Sequence, residues 1–572
     1  MAGIIIMYAC QKSFLEITPN GLLDQAVLAD YEGVDGLLIG AYSMVDGVAN
    51  INWNPDLTWQ STTSGWVFGS IRGMEANMGT DSGDSPNIHS IANFCDYAGD
   101  PYLNSKWMAI YEGISRCNST INAANAAEEK GTITPDEAQY FIRQARALRG
   151  FYHFEAWRLW ADRSTNTFVP YVDENTDRST LTNTEDIRTN IIEDLTEGTQ
   201  LPNDMDQVGR FNKSVAQVFL AKAEMQMFGD YTAALTLLAD VEVNGTNPAG
   251  QSAGLEPLYG DIFDIEFRNG VESIYTVQYS VNDGSGGYNG GFGEVLNFPY
   301  NNGPGRCCGF FQPTQDFVNS FRTDANGLPF LDTYNNEKVT NDQGFAVTDP
   351  FTEYTGRVDP RLDWAVGRRG IPYWDWGEHT GTDWIRDQSY AGPYSPKKQV
   401  YKKSQEGIYT EVGNWTSGWT ANGYRMIRYA DVLLLKAECE AKTGSGDLGL
   451  EEVNEVRTRA ANPDAFVKEA DGTTNAANYV IGTYPVFADQ LAALKAIKFE
   501  RKLELGQEGH RYYDLQRWGD VQSELNRILT YEKTMEWGSS HYGSATVGPE
   551  DMNFPIPQRQ IDLSFGNLIQ NR

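Results

Sequence analysis

The stretch "TPDEAQYFIRQARALRGFYHFEAWRLW", residues 134–160, carries the pattern of a long amphipathic helix. Thr134, Pro135 and Glu137 supply an N-cap, a first-turn proline and a capping-box acid. Apolar side chains then recur three or four positions apart, the spacing of one helix face, at Phe141, Ala145, Leu148, Tyr152, Ala156 and Leu159. The sequence therefore predicts a helix that begins after Thr134.

Further segments repeat this helical pattern, at residues 183–202, 212–228, 230–241, 425–444, 450–460 and 487–506. We expect Thr184 to cap the first of them. The segments come in pairs joined by short turns, and small residues such as Ala221 and Ala437 stand where neighbouring helices would approach. Paired helices of this kind are the unit of tetratricopeptide-type solenoids, which repeat every ~34 residues. We therefore predict a mainly α fold built on tetratricopeptide-like helix pairs.

The middle of the chain, residues 242–424, has a different character. Glycine, asparagine, proline and aromatic residues rise in frequency, and only short runs such as 272–281 suggest strands. A long irregular segment is usually functional or disordered, and this aromatic content argues against disorder. We predict a folded, loop-rich insertion that carries the ligand surface. The predicted organisation is an anchor segment (1–20), an N-terminal helical region (21–241), the insertion (242–424) and a C-terminal helical region (425–572).

The composition excludes several kinds of partner. The 572 residues carry a formal charge of −32, which repels phosphate backbones and anionic lipid headgroups. No histidine or cysteine pair has the spacing of a metal site. We expect no cofactor and no bound metal. Calcium stays open at "GDIFDIE", residues 260–266, although no loop has a defined calcium-binding spacing.

The amino terminus contains a short apolar run that ends at Ala9 and Cys10. The sequence "MYAC" resembles the end of a bacterial lipoprotein signal, whose cysteine becomes the lipidated first residue of the mature protein. The alternative is a short apolar leader with an incidental cysteine. No later run approaches the ~20 apolar residues that span a bilayer, so we predict that any lipid anchor is at Cys10.

A family resemblance covers nearly the whole chain. The segments that carry it are "SFLEITPNG" (13–21), "WVFGSI" (66–71), "ARALRGFYHFEAWRLWADRSTNTFVP" (145–170), "RYADVLLLKAECEAKTG" (428–444) with "VNEVRTRA" (453–460), "FERKLELGQEGHRYYDLQRWGD" (499–520) and "PIPQRQIDLSFGNLIQN" (555–571). Their order resembles the SusD/RagB family. The chain departs from the family in its short leader and at "RGME" (72–75), where members more often show an acidic pair.

This resemblance implies a lipid-anchored protein of the outer membrane, exposed at the cell surface. Members bind an oligosaccharide or polysaccharide, or in a minority a peptide, and work with a SusC-like TonB-dependent transporter. They have no catalytic activity. Their helix pairs face the transporter, and the loop-rich part forms the ligand surface.

The candidate ligand residues are mostly aromatic, because a sugar stacks its C–H face on a flat ring while its hydroxyls bind polar side chains. Residues 370–384, "GIPYWDWGEHTGTDW", concentrate such groups. If the segment is locally extended, Trp374 and Trp376 share one face. The alternative is that these rings are buried in the core. The candidates near this segment are Arg368, Tyr373, Trp374, Asp375, Trp376 and Trp384.

Two further segments supply candidates. Residues 282–313 are rich in glycine and contain Tyr288, Tyr300 and the adjacent pair Cys307 and Cys308. On an oxidising cell surface the pair could form a vicinal disulfide with a flat sulfur face, or stay as two thiols. Trp66, in the resembling segment 66–71, is a ligand residue or part of the core.

Three other functions are alternatives to glycan capture: peptide binding, glycoside hydrolysis and protein scaffolding. A peptide ligand is the alternative within the family. A glycoside hydrolase would need two carboxylates about 5–10 Å apart, for which Asp375 and Asp383 are the candidates. The charges of 499–520 alternate in sign, which indicates a structural ion-pair network instead of a catalytic group. A pure protein-binding scaffold would put its binding residues on the helices and not in the insertion.

Overall fold

The computed structural model describes residues 28–47, 61–413 and 416–572, and this part of the chain is mainly helical, as predicted. The anchor residue Cys10 lies outside these ranges. The α-helices are α1 (Tyr31–Tyr42), α2 (Pro86–Ala92), α3 (Pro101–Lys130), α4 (Pro135–Trp160), α5 (Arg188–Gly198), α6 (Lys213–Ala223), α7 (Tyr231–Asn244), α8 (Gln315–Ser320), α9 (Leu362–Ala365), α10 (Gln388–Ala391), α11 (Tyr429–Thr443), α12 (Leu450–Ala460), α13 (Gln490–Glu504), α14 (Arg511–Trp518), α15 (Val521–Glu532), α16 (Gly538–Tyr542) and α17 (Gln558–Leu563).

Helix α4 begins where the sequence predicts. The Thr134 side chain accepts a hydrogen bond from the Glu137 amide, and the Glu137 carboxylate accepts from the Thr134 amide at 2.7 Å. This reciprocal capping box satisfies two of the amide donors that an N-terminus leaves free. The prediction for α5 is wrong in its start: the helix begins at Arg188, and Ile187 stands at the cap position instead of Thr184.

The helices pack on one another largely in chain order. Helix α3 contacts α4, α4 contacts α5, α5 contacts α6 and α6 contacts α7, after which α11 packs on α7, α12 and α13. Small residues allow the close approaches: a Cβ on Gly113 of α3 would lie 2.6 Å from the Tyr152 ring of α4. This array contributes many residues of the main apolar core.

The segment between α7 and α11 is held to the helices by a small sheet. The strands are β1 (Ser273–Val277), β2 (Val366–Gly367), β3 (Ser395–Pro396), β4 (Thr410–Glu411), β5 (Trp419–Thr420) and β6 (Tyr424–Arg428). Strand β1 lies in the predicted strand run and pairs antiparallel with β6, with Ser273 opposite Arg428. The sequence pattern predicted a helix that begins at residue 425. Residues 425–428 are strand instead, and the helix begins after them. Because β6 leads directly into α11, the chain between β1 and β6 leaves the helical array and returns to it.

Buried ion pairs join the two parts of the molecule. The Glu504 carboxylate accepts from Arg428 at 2.6 Å, from Arg361 at 2.9 Å and from Arg459 at 2.5 Å. Arg428 also pairs with Glu508 at 2.7 Å. Burial raises the pKa of Glu504, but the three guanidinium groups outweigh it and hold the pKa well below its ordinary value. The charges of 499–520 thus form a structural network, as predicted.

Candidate ligand-binding surface

A buried aromatic cluster, here called the aromatic floor, lies under the loops of residues 242–424. It contains Phe298, Tyr373, Trp384 and Tyr401, each at most 5% exposed. The Tyr373 hydroxyl donates to the Pro396 carbonyl. The prediction that Tyr373 and Trp384 contact ligand is contradicted by this burial, since neither ring offers a face to solvent. Their role is to support the loops above them.

Residues 373–376 form a tight turn and not an extended strand. The Trp376 amide donates to the Tyr373 carbonyl at 3.1 Å, and Trp374 has a φ of +52°. The two indoles therefore do not share one face, and the expectation from local extension is wrong. Trp374 packs edge-on against Trp364 with ring centres 5.1 Å apart. Both Trp374 and Trp376 remain half-buried, so each keeps part of its surface open.

Trp376 is held against residues 401–404 by a hydrogen bond and a ring contact. Its Nε1 donates to the Tyr401 carbonyl at 2.9 Å, and its ring meets the Tyr401 ring at 5.9 Å. Asp375 beside it is exposed and accepts from the Ser404 amide at 2.9 Å. These bonds fix the turn against residues 401–404, so that an indole edge and a carboxylate stand at the surface together.

Two other predicted site residues lie in the interior. Trp66 is 2% exposed, donates from Nε1 to the Gly293 carbonyl at 2.8 Å and packs edge-on against Phe310 and Phe311. Arg368 is 4% exposed and makes a two-pronged ion pair with Asp363 at 2.6 and 2.8 Å. Both predictions of direct ligand contact are contradicted: Trp66 supports the loop from below, and the charge of Arg368 is already neutralised.

Tyr288 is the most exposed of three nearly parallel rings. It lies parallel to Phe292 with centres 6.2 Å apart, and both rings stack on Trp419. Tyr288 is half-buried, whereas Phe292 and Trp419 are almost fully buried. A Cβ on Gly287 would lie 1.8 Å from the Trp419 ring, so only glycine permits this approach.

Cys307 and Cys308 form a vicinal disulfide. Cys307 is half-exposed and Cys308 is 7% exposed, so the bridge has one side toward solvent. The amide of Gly309 donates to the Phe298 carbonyl at 2.9 Å, which seats the bridge on the aromatic floor. Arg306 immediately before it is mostly exposed.

Tyr300 lies close to Gly309, the residue that follows the disulfide, and a guanidinium group lies near its ring. The Arg386 guanidinium stands 5.4 Å from the ring centre, and the Tyr300 amide donates to the Trp384 carbonyl at 2.8 Å. Arg386 also pairs with Asp81 at 2.7 Å and with Asp84 at 2.6 Å. All three charged side chains are about one-third exposed.

Sequence reasoning missed Arg386, Asp81 and Asp84. About 300 positions separate the arginine from the two acids, and no local pattern joins them. We define the loop surface as Tyr288, Tyr300, Cys307, Cys308, Trp376, Asp375, Arg386, Asp81 and Asp84.

One of the acidic groups that suggested calcium is paired with a protein cation. Asp264 of the 260–266 loop accepts from Lys402 and Gln405. In the described part of the chain, Glu440 and Glu452 lie close enough to Asp447 to share a metal ion. The Lys436 ammonium already bridges the two glutamates and offsets part of their charge.

Comparisons with known proteins agree with this architecture. Residues 71–225 match the family described as "Starch-binding associating with outer membrane". SusD-like protein P2 of Formosa agariphila is 25% identical over 472 residues, 78% of this chain and 77% of the relative. None of the helices within the described residues is long and apolar enough to span a bilayer.

Solved structures share the fold. A SusD homologue from Bacteroides thetaiotaomicron has a TM-score of 0.67 at 19% identity, covering 96% of this chain and 99% of its own. The surface glycan-binding protein A of the same organism, solved with laminarihexaose, has a TM-score of 0.64 at 22% identity and covers 94% and 99%. The SusD family model matches residues 271–572. Because this match spans more than half of the chain, the protein belongs to the SusD family.

Proposed function

We propose that the protein captures an oligosaccharide or polysaccharide on the loop surface, without catalysis, and delivers it to a SusC-like TonB-dependent transporter. The observation that carries the binding step is the group formed by Tyr300, the vicinal disulfide and Arg386 with its two aspartates. A flat ring and a flat sulfur bridge stand beside donors and acceptors that remain partly exposed.

The chemistry of this group matches a neutral sugar. Sugar C–H groups pack against rings and soft sulfur, while hydroxyls can donate to Asp81 or Asp84 and accept from Arg386. Arg386, Asp81 and Asp84 partly neutralise one another. A sugar hydroxyl can therefore bind to them without breaking up a fully charged ion pair. Trp376 and Tyr288 extend the aromatic part of the surface on the neighbouring loops, which suits a chain of several sugar units.

Two structural neighbours support a glycan as the ligand class. One neighbour was solved with laminarihexaose, and another is described as a laminarin-binding SusD-like protein, at 20% identity and a TM-score of 0.63. We therefore choose laminarihexaose as the first probe, followed by a panel of neutral polysaccharides.

Affinity electrophoresis and calorimetry test the binding step. We expect wild-type protein to bind at least one glycan, and Tyr300→Ala to weaken that binding tenfold or more, as loss of a central aromatic contact commonly does. Tyr97→Ala is the matched control, since Tyr97 is 54% exposed and lies outside the loop surface. Binding of oligopeptides and of no glycan would instead support the peptide-binding alternative.

The surroundings of Asp375 support a non-catalytic role. Partial burial raises its pKa, but hydrogen bonds from Ser404 and Lys403 outweigh this and leave the pKa below its ordinary value. A general acid for glycoside cleavage needs the opposite shift. We expect no reducing sugar to be released from any glycan that the protein binds, and release abolished by Asp375→Asn would contradict this.

We also propose attachment to the outer membrane at the cell surface through a lipid on Cys10. Labelled fatty acid should enter the wild-type protein in a bacterial host and should not enter Cys10→Ala.

The transporter partner is tested by affinity purification from outer membranes, where we expect a TonB-dependent transporter to co-purify in stoichiometric amount.

A further inference from the structure

A cavity of about 340 Å³ lies among helices α13, α14 and α15, closed on one side by residues 331–334. None of its lining residues belongs to the loop surface. Cavities of a few hundred Å³ accommodate small ligands. The residues that line this cavity determine which class of ligand it binds.

The walls gather positive charge on a strongly acidic protein. One face of α13 supplies Lys495, Lys498 and Lys502, while α14 supplies Arg511 and α15 supplies Arg527. These are five of the 45 basic residues in a chain that has 77 acidic ones. Elsewhere the protein's field repels anions, so a local concentration of cations selects for them.

Carboxylates within the cavity offset only part of this charge. The lining includes Asp332, Asp520 and Glu524, three acids against five cations. Lys495 pairs with Asp332, Lys498 pairs with Asp520 at 2.6 Å, and Arg511 reaches Glu524 at 3.2 Å. The fully buried Asp316 behind the wall pairs with Lys502 and Arg527. Counting it, the five cations still exceed the four acids by one charge.

Arg511 has an unmet hydrogen-bonding group. Its side chain is 7% exposed, and its Nη2 donates to Glu524. Its buried Nε atom has no hydrogen-bond partner. A buried guanidinium donor without an acceptor is costly and is uncommon in folded proteins. The Nε atom itself is covered by protein atoms, so an oxyanion in the cavity would meet Arg511 through the Nη end of the guanidinium.

An aromatic wall completes the cavity. The Trp518 ring is half-buried, with the Lys498 ammonium 4.9 Å and the Arg511 guanidinium 5.7 Å from its centre. Phe499 and Leu515 continue the apolar surface. Cations beside an indole face suit a ligand that has an anionic group on a ring with C–H groups.

We propose that this cavity is a second ligand site, which binds an oxyanion, either the carboxylate or sulfate of an acidic sugar or a free inorganic ion. Lys495 and Lys498 at the mouth attract the anion, Arg511 donates to it, and Trp518 packs against the ring that carries it. The site is independent of the glycan surface: a failure of either proposal leaves the other standing.

Calorimetry at low ionic strength tests the site with three probes: glucuronate, glucose and sodium sulfate. We expect glucuronate to bind and glucose not to bind at the same concentration. The affinity for glucuronate should fall about tenfold in Lys498→Gln, the size of a lost charge-assisted hydrogen bond. It should fall further in the double variant Lys495→Gln/Lys498→Gln and decline as salt is added.

Lys130→Gln is the matched control, because Lys130 is exposed at the end of α3 and lies outside the cavity. Equal melting temperatures would show that the variants fold. Sulfate that binds as tightly as glucuronate, with the same loss in the double variant, identifies the inorganic source. Absence of binding by both anions, or an affinity unchanged in the double variant, overturns the proposal.

Discussion

The helical array and the loop surface are stabilised by different interactions. The array buries continuous apolar helix faces and a network of charges around Glu504 that excludes water. On the loop surface, aromatic rings lie over one another with their polar atoms bonded to backbone carbonyls, as Trp376 is to Tyr401. Removing a group from the first region costs folding free energy, whereas removing an exposed ring from the second costs binding. The two regions can therefore be distinguished by which quantity a substitution changes.

The largest effect is expected in the charge network. Glu504→Ala leaves Arg361, Arg428 and Arg459 buried with too few acceptors, which should lower the free energy of unfolding by about 3–5 kcal/mol. Urea denaturation measures it. Glu112→Ala, which breaks the exposed pair with Arg116, is the control and should cost under ~1 kcal/mol. Similar losses of unfolding free energy in the two variants would contradict the proposed difference between the helical array and the loop surface.

The contact between Glu532 of α15 and α8 should depend on pH. Burial raises the pKa of Glu532 to about 8 from an ordinary 4.5, although the Asp316 amide donates to its carboxylate at 2.7 Å. A carboxyl with a raised pKa stabilises the fold below its ordinary pKa and loses that contribution as pH rises toward the folded value.

Wild-type stability should therefore fall by on the order of 3 kcal/mol between pH 4.5 and 8 because of this group. Glu532→Gln keeps the acceptor and removes the charge, so its free energy of unfolding should vary less over the same range. Denaturation series at several pH values provide the comparison. Parallel pH profiles for the two proteins would show that Glu532 does not titrate in this range.

A partly exposed ring should show the reverse pattern. Trp376→Ala should weaken glycan binding by about 2 kcal/mol, if the ring is a central contact, while the melting temperature changes little. The comparison is Trp384→Ala, whose ring is 5% exposed. That variant should lose about 3 kcal/mol or more of folding free energy. Calorimetry and thermal denaturation together separate the two outcomes; equal destabilisation would assign Trp376 to the core.

The smallest effect is expected for the disulfide. Cys307→Ser/Cys308→Ser should change the folding free energy by about 1 kcal/mol or less, because a bridge between neighbours closes only a very short loop. Glycan affinity should fall a few-fold, since the flat sulfur face is lost. Cys95→Ser, at an exposed free cysteine, is the control. Unchanged affinity would remove the disulfide from the proposed surface.

The sequence predicted the helices where apolar spacing is clean, as in α4 with its capping box. It missed α3, the 30-residue helix, because buried polar residues such as Ser105 and Asn118 interrupt the apolar spacing of its inner face. The resemblance supplied the family and the composition predicted the aromatic insertion, but local sequence did not predict which rings are exposed.

Ring exposure depends on contacts that are distant in sequence. Tyr373 is buried because its hydroxyl reaches the Pro396 carbonyl, and Trp374 turns away because its backbone adopts a positive φ. Arg386 joins the surface through acids about 300 positions away. No periodicity encodes such contacts, so the candidate site could be located to a segment but not to its residues.

Hydrogen exchange with mass spectrometry tests the central claim most directly, because it locates a bound glycan on the protein. With saturating glycan, peptides covering 299–310 and 374–387 should exchange more slowly, and peptides from α3 to α7 should be unaffected. Protection confined to the helical array, with those two loop segments unchanged, would contradict the account.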